Sequence, residues 1–362
     1  MGLKIFAVPE IRKTYDISKS YEWNYRHVPS VDLDVPETIP TIPCDWTYAG
    51  LPVASPFAVA AGPLLNSRWI EFYARRGFDI LTYKTVRRSA QASYPLPNLV
   101  PVEPLPILDP GSIIHASASM IGAWAVSFGM PSRGPEVWRE DVAVAKQSLG
   151  SGQILSVSVV ATPVEGDDLT SISNDYADCA KWAFESGADV VELNFSCPNV
   201  STRDGMLYTQ ADASKEVLSR IRDAVGDKPL LVKLGYMGGL DLARDWVELG
   251  EGLVQGLVMI NCIGAKVQGL DSHAFFRGAS RGIAGSAISG AVRRQVNMFQ
   301  SIIRENQSKI KIIAVGGISS GKDVSDYLEL DVEGVQIATA AMLDPLWAVK
   351  VKVKLKEANN TD

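Results

Sequence analysis

Apolar and polar positions alternate along this chain in a long, regular order. Short apolar runs recur at 57–61, 79–83, 153–159, 189–193, 230–233, 256–261, 311–315 and 334–337. Between and after them lie longer segments whose apolar residues fall three and four apart, at 66–76, 136–147, 168–186, 211–225, 241–248, 287–305, 321–329 and 343–356. The short runs predict buried strands and the longer periodic segments predict helices. Asn66 is the expected N-cap of the first helix. Regular strand–helix alternation demands a parallel sheet with right-handed crossovers. Eight such units closing on themselves give an α/β fold of the (β/α)₈ barrel type. An open doubly wound sheet is the alternative, but no G-x-G-x-x-G follows the first strand.

Three stretches stand outside the repeat. Residues 87–133 form a Pro-rich excursion too long for an ordinary connection, and are therefore expected to be functional. A second polar excursion covers 264–285. Residues 1–45 carry Tyr15, Tyr21, Trp23 and Tyr25, then a Pro-rich run from 29 to 43. The prolines favour extended backbone, and the aromatics predict packing against the barrel or a partner subunit. The expected organisation is an N-terminal extension, 1–45, followed by a barrel over 46–362.

Composition narrows the class. Hydrophobic residues make up 46% of the 362, enough for a large core. A formal net charge of −6 without a long basic run argues against a nucleic-acid partner. Cys44, Cys179, Cys197 and Cys262 form no C-x-x-C pair. That argues against a zinc site, an iron–sulfur cluster held by this chain alone, or a disulfide framework, so no metal is expected. A reduced, cytoplasmic protein fits this usage. The N-terminus lacks the apolar core of a signal peptide, and no stretch approaches the roughly 20 apolar residues of a membrane span.

The chemistry collects where the strands end. Lys84, Asn194, Cys197, Asn199, Lys233 and Asn261 follow apolar runs, and in a barrel those ends converge on one face. Taken singly, a buried lysine or asparagine is usually structural; the agreement of six on one face points to a site. The runs A-V-G-G-I at 314–318 and Q-I-A-T-A at 336–340 end in small residues that expose backbone N–H groups. Such late-strand loops hold phosphate in many barrels. G-I-A-G at 282–285 adds a third backbone edge, and ordinary turn glycines are the bland alternative. Lys84 and Lys233 are placed to reach a cofactor ring. Cys197, in D-V-V-E-L-N-F-S-C-P-N at 189–199, is the best candidate for proton chemistry. A thiol with an unperturbed pKa of about 8.5 serves as a base where its surroundings favour the thiolate. A nucleophile is the rival role, but it wants a histidine partner, and none of His27, His115 and His273 is placed beside Cys197 by the sequence. A free structural cysteine is the third reading.

N-F-S-C-P-N at 194–199 resembles the N-x-S-C-P-N signature of class 1 dihydroorotate dehydrogenases and their dihydropyrimidine dehydrogenase relatives. The resemblance continues through A-A-G-P at 60–63, Y-K-T at 83–85, V-K-L at 232–234, I-N-C at 260–262, G-I-A-G-S-A-I at 282–288, and the two late-strand runs. It covers roughly 50–350 and is more specific for fold and flavin mononucleotide (FMN) than for substrate. It implies that Cys197 is the base removing a proton from a saturated C–C bond while hydride leaves to flavin N5. Lys84 and Lys233 would contact the isoalloxazine, with Ala61, Gly62 and Thr85 also at the cofactor. Gly316, Gly317, Ala338 and Thr339 would hold the phosphate, and Gly285 and Ser286 would lie near the ribityl chain and phosphate. Asn194, Asn199 and Asn261 would read the substrate's polar edge, with Cys262, Ser127, Gly129 and Met130 nearby. The cysteine at the base position implies the soluble class, and the family implies a homodimer.

The departures concern recognition. The family's N-S-M-G-L-P-N segment, with two orotate-binding asparagines, is matched here by V-S-F-G-M-P-S at 126–132. Val126 and Ser132 replace the asparagines, and each polar group left unpaired in a buried site costs roughly 1–3 kcal/mol. Cys262 stands where serine or threonine is usual. The expectation is an FMN-dependent CH–CH oxidoreductase acting on a small molecule other than dihydroorotate, a less polar one. A true dihydroorotate dehydrogenase of pyrimidine biosynthesis is the alternative, and a catalytically dead flavin-binding protein is the rival of another class. The electron donor or acceptor is not legible: fumarate, quinone and oxygen stay open, and a nicotinamide partner would need another subunit or the flavin site.

Overall fold

Period-two alternation governs the centre of the molecule. The computed structural model describes residues 14–32, 35–42, 44–104, 109–196 and 203–359. Eight parallel strands close into a barrel: β1 (Phe57–Val59), β2 (Ile80–Val86), β3 (Ile154–Val159), β4 (Val190–Asn194), β5 (Leu230–Lys233), β6 (Gly256–Met259), β7 (Lys311–Val315) and β8 (Gly334–Ile337). Each pairs with its neighbours in chain order, and β8 pairs with β1 through Val335–Phe57, Gln336–Ala58 and Ile337–Val59. The helices fall where the 3.6-residue periodicity predicts. Asn66 caps Ser67–Ala74 by accepting from the Trp69 N–H.

Successive side chains of a strand face opposite ways. The outward set packs under the helices in the large core, while the inward set stacks in layers. Ala58, Ile80, Ile154, Val190, Leu231 and Ile313 form a small apolar cluster at the strand starts, together with Tyr48. Tyr48 comes from a hairpin, Trp46–Tyr48 with Leu51–Val53, that closes this end and was not foreseen as strand. Two residues further along the inward face, the interior turns polar: Thr82, Ser156, Glu192, Lys233 and Gln336 are all nearly or fully buried. Two residues beyond those come Lys84, Ser158 and Asn194, at the mouth.

The two excursions are not irregular loops. Among the described residues they form one five-stranded sheet, in the order Leu99–Pro101, Ala123–Val126, Arg281–Gly285, Ile263–Gln268, Ile113–His115. Gly282–Gly285 pairs antiparallel with Ala123–Val126, so the sheet joins both excursions over the barrel mouth. Ahead of its Pro-rich run the extension forms a short helix, Tyr21–Arg26, which Ser20 caps by accepting from the Trp23 N–H. Among the described residues no helix is long and apolar enough to cross a membrane.

Candidate active site

A cavity of about 130 Å³ opens at the barrel mouth between the strand ends and the added sheet. Ala61, Gly62, Lys84, Thr85, Asn194, Lys233, Asn261, Cys262 and Ala338 line it from the barrel. Val126, Phe128, Gly129 and Met130 line it from the added sheet and the turn after it. A second lobe of about 80 Å³, walled by Gly285, Ser286, Gly316, Gly317 and Thr339, continues from it through the shared residues Asn261, Ala284, Val315 and Ala338. Larger open clefts of about 740 and 990 Å³ hold none of the strand-end lysines or asparagines.

The added sheet explains how the turn at 128–130 is set. Asn98 accepts from the Tyr21 N–H at 3.2 Å and donates to the Ser127 and Tyr94 carbonyls, each at 3.0 Å. Gly129 and Met130 then take left-handed backbone, φ 77° and 47°. A Cβ on Gly129 would lie 2.8 Å from the Tyr94 ring, so only glycine turns here without displacing that ring. Arg87 fixes the end of the turn through Nε to the Met130 carbonyl, 3.0 Å, and a guanidinium N–H to the Ala161 carbonyl, 2.8 Å.

The polar groups are held in defined places. The Lys84 ammonium donates to the Gly62 carbonyl at 3.3 Å and sits 4.6 Å from the Phe128 ring centroid. Lys233 donates to Gln336 Oε1 at 2.9 Å and pairs with Glu192 Oε1 at 3.3 Å. The Gln336 amide donates to Glu192 Oε2 at 2.5 Å and to the Tyr48 hydroxyl oxygen at 3.0 Å. Burial, reinforced by the Glu192 carboxylate, pushes the Tyr48 phenol well above its ordinary pKa, so it stays neutral. Asn194 Nδ2 lies 3.5 Å from Met130 Sδ. The Asn261 side-chain amide donates to the Ser196 carbonyl and so anchors the chain immediately before Cys197. Cys197 and Asn199 themselves lie outside the described residues.

The second lobe has the character of an anion cradle. The hydroxyl oxygens of Ser286 and Thr339 are buried with no hydrogen-bond partner among the described residues. Gly317 runs at φ 74°, and a Cβ there would meet the Ser289 Cβ at 2.5 Å. Two buried donors without acceptors, beside backbone that no side chain can obstruct, fit a phosphate group.

Most of the residues singled out in the sequence come together here; Ser127 is the exception. It follows directly on the strand Ala123–Val126 and is not on the cavity wall; its hydroxyl pairs with Arg281 Nε at 2.7 Å. Ser132 also points elsewhere, its hydroxyl accepting from the Arg87 N–H at 3.1 Å and donating to the Arg133 carbonyl at 2.8 Å. Among the described cysteines only Cys262 reaches the cavity. Cys179 is buried away from it, and that burial raises its thiol pKa well above the ordinary value. The sequence reading missed Glu192, Phe128 and Gln336. Glu192 carried a signal: it stands two residues before Asn194, hence on the same inward face, and is the one charged residue in β4.

The family profile described as dihydroorotate dehydrogenase matches residues 45–358. The chain belongs to the dihydroorotate dehydrogenase family. That family consists of oxidoreductases acting on CH–CH donors. The chain is 34% identical over 362 aligned residues to a dihydroorotate dehydrogenase of Dictyostelium discoideum, covering 94% of this chain and 97% of that one. It is 27% identical over 188 residues to the catalytic subunit of a dihydroorotate dehydrogenase B (NAD(+)) of Staphylococcus carnosus, covering 51% and 58%. The fold is similar to that of crystalline DHODH of Eimeria tenella in complex with ferulenol, at a TM-score of 0.71 and 17% identity over 94% of this chain and 89% of that chain.

Proposed function

We propose that the protein is an FMN-dependent dehydrogenase that oxidises dihydroorotate. The near full-length relation to the Dictyostelium enzyme carries the substrate reading, and it favours dihydroorotate over the altered substrate that Val126 suggested. The site supports the cofactor. Ser286 and Thr339 would donate to the phosphate beside Gly316 and Gly317, Gly285 would flank the ribityl chain, and Lys233 and Lys84 would meet the ring system. Ala61, Gly62, Thr85 and Ala338 would complete that wall. Bound flavin would supply the two-electron acceptor for the hydride released from a C–H bond of one carbon as the substrate's C–C bond becomes C=C.

The chain's own groups do the rest. Cys197 is the base that takes the proton from the neighbouring carbon, and Asn261 holds the backbone that leads into it. Asn194 and Asn261 turn their amides toward the substrate's ring edge, with Asn199 as a further partner. Lys84 supplies a buried positive charge beside the ring system, and Cys262, Gly129 and Met130 close the pocket. A buried, hydrogen-bonded set of this kind acts mainly by positioning.

A second reading keeps the same chemistry with a less polar CH–CH substrate. It is favoured by Val126 on the cavity wall, where the described residues supply no other amide than Asn194 and Asn261 to the first lobe. Anaerobic titration of the flavin-loaded protein with dihydroorotate decides between the two. Rapid stoichiometric bleaching supports dihydroorotate. A flavin that bleaches with dithionite but not with dihydroorotate sinks that substrate and favours the second reading.

A further inference from the structure

We infer that the N-terminal extension forms part of the active site, with Tyr21 as a positioning residue that holds the Lys84 ammonium against Phe128. The inference deepens the proposed reading of the cavity and rests on it for the role of Lys84.

Three observations carry it. First, the Lys84 Nζ lies 5.6 Å from the Tyr21 ring centroid and 4.6 Å from that of Phe128, within the range over which a cation is attracted to an aromatic face. Second, Phe128 is itself held by the extension: its ring meets Tyr21 edge-on at 5.9 Å and Tyr15 at 5.7 Å. The same aromatic group thus backs both the lysine and the turn at 128–130.

Third, the extension is tied down on both sides of this contact. Toward the added sheet, Tyr21 N–H donates to Asn98, which in turn holds the Ser127 and Tyr94 carbonyls. Glu22 meets Arg133, just past the turn, at 2.7 Å, and the Arg133 guanidinium lies 4.3 Å from the Tyr25 ring centroid. Toward the barrel, Trp69 donates to the Asn24 carbonyl at 3.1 Å and Asn66 to the Tyr25 carbonyl at 2.7 Å. A segment that only covered the surface would not need to bury Tyr21 between the sheet and the barrel's second strand. Burial also raises the Tyr21 phenol well above its ordinary pKa, so it offers the lysine a neutral ring.

The test uses the full-length, flavin-loaded protein and two variants. Tyr21→Leu keeps most of the apolar bulk and deletes the aromatic face; Tyr21→Phe keeps the face. Trace labelling with acetic anhydride, read by mass spectrometry, reports Lys84 reactivity against Lys322, whose side chain is 80% exposed. Tyr21→Leu is expected to raise Lys84 labelling roughly fivefold or more and to lower kcat/KM for dihydroorotate by a similar factor. Tyr21→Phe is expected to match the wild type in both. Wild-type labelling of Lys84 in Tyr21→Leu overturns the inference, whatever the turnover. A wild-type protein that never turns over dihydroorotate sinks the substrate reading alone, and the labelling still decides the role of Tyr21.

Discussion

Lys233 and Glu192 stand on adjacent strands inside the barrel, Nζ to Oε1 3.3 Å, with side chains 5% and 0% exposed. Removing one partner of such a pair leaves an uncompensated buried charge, which typically costs about 3–5 kcal/mol. Replacing both by apolar residues of similar volume is often nearly neutral. Glu192→Leu is therefore expected to lose about 3–5 kcal/mol of unfolding free energy in urea, and Glu192→Leu with Lys233→Met to regain most of it. A double variant as unstable as the single one would mean that Gln336 and Tyr48, rather than charge pairing, set the cost.

The hydroxyls of Ser286 and Thr339 carry a prediction with two opposite signs. Each is buried without a partner among the described residues, so its removal should not harm the protein without cofactor. A hydrogen bond to a charged group is worth about 1.5–3 kcal/mol. Thr339→Val is expected to leave the apoprotein's melting temperature unchanged or raised. It should weaken FMN binding by roughly tenfold or more, measured by fluorescence quenching of the free flavin. Parallel loss of apoprotein stability and flavin affinity would point to a purely structural threonine.

Gly62 lines the cavity, and a Cβ built on it meets no atom within 4 Å. A larger side chain there therefore has room to fold and takes it from the ligand. Gly62→Leu is expected to give a protein with wild-type apoprotein melting and a flavin content near zero, read from its visible absorbance. Retention of the yellow colour would place the cofactor elsewhere.

Alkaline pH should destabilise this protein through its tyrosines. Burial raises the phenol pKa of Tyr15, Tyr21, Tyr48, Tyr73, Tyr83 and Tyr327. The unfolded chain then releases those protons near the ordinary value of about 10 while the folded chain keeps them. Above that pH the native state binds more protons, so stability present below it is lost as pH rises. Melting curves are expected to be flat in this respect up to about pH 9 and to fall beyond about pH 10. The phenolate absorbance of these tyrosines should appear only with unfolding. Their titration in the intact fold would overturn the assignment.

The barrel was legible because its signals are local. Apolar runs such as 311–315 and the cap at Asn66 need no knowledge of the rest of the chain, and the strand-end groups Lys84, Asn194, Lys233 and Asn261 follow from them. The added sheet was not legible. Its strands Leu99–Pro101 and Ile113–His115 are three residues long, too short to show a period, and Ile113–His115 finds its partner only in the second excursion, at Lys266–Gln268. For the same reason Ser127 was misplaced: its orientation depends on a register with Arg281–Gly285 that no nearby residue announces. The role of Tyr21 was hidden likewise, because Lys84 and Phe128 meet it only across the fold.

The pairing of Ala123–Val126 with Gly282–Gly285 also bears on how the protein comes into being. Closing a long stretch of chain costs entropy before the contacts it brings can reward it, and structures rich in distant pairings form slowly. The wall that carries Val126 and leads into Phe128 pairs early with Leu99–Pro101, but its other edge stays open until residue 285 has been synthesised. The early half of the barrel must wait with an open rim, and the site is among the last parts of the molecule to be born.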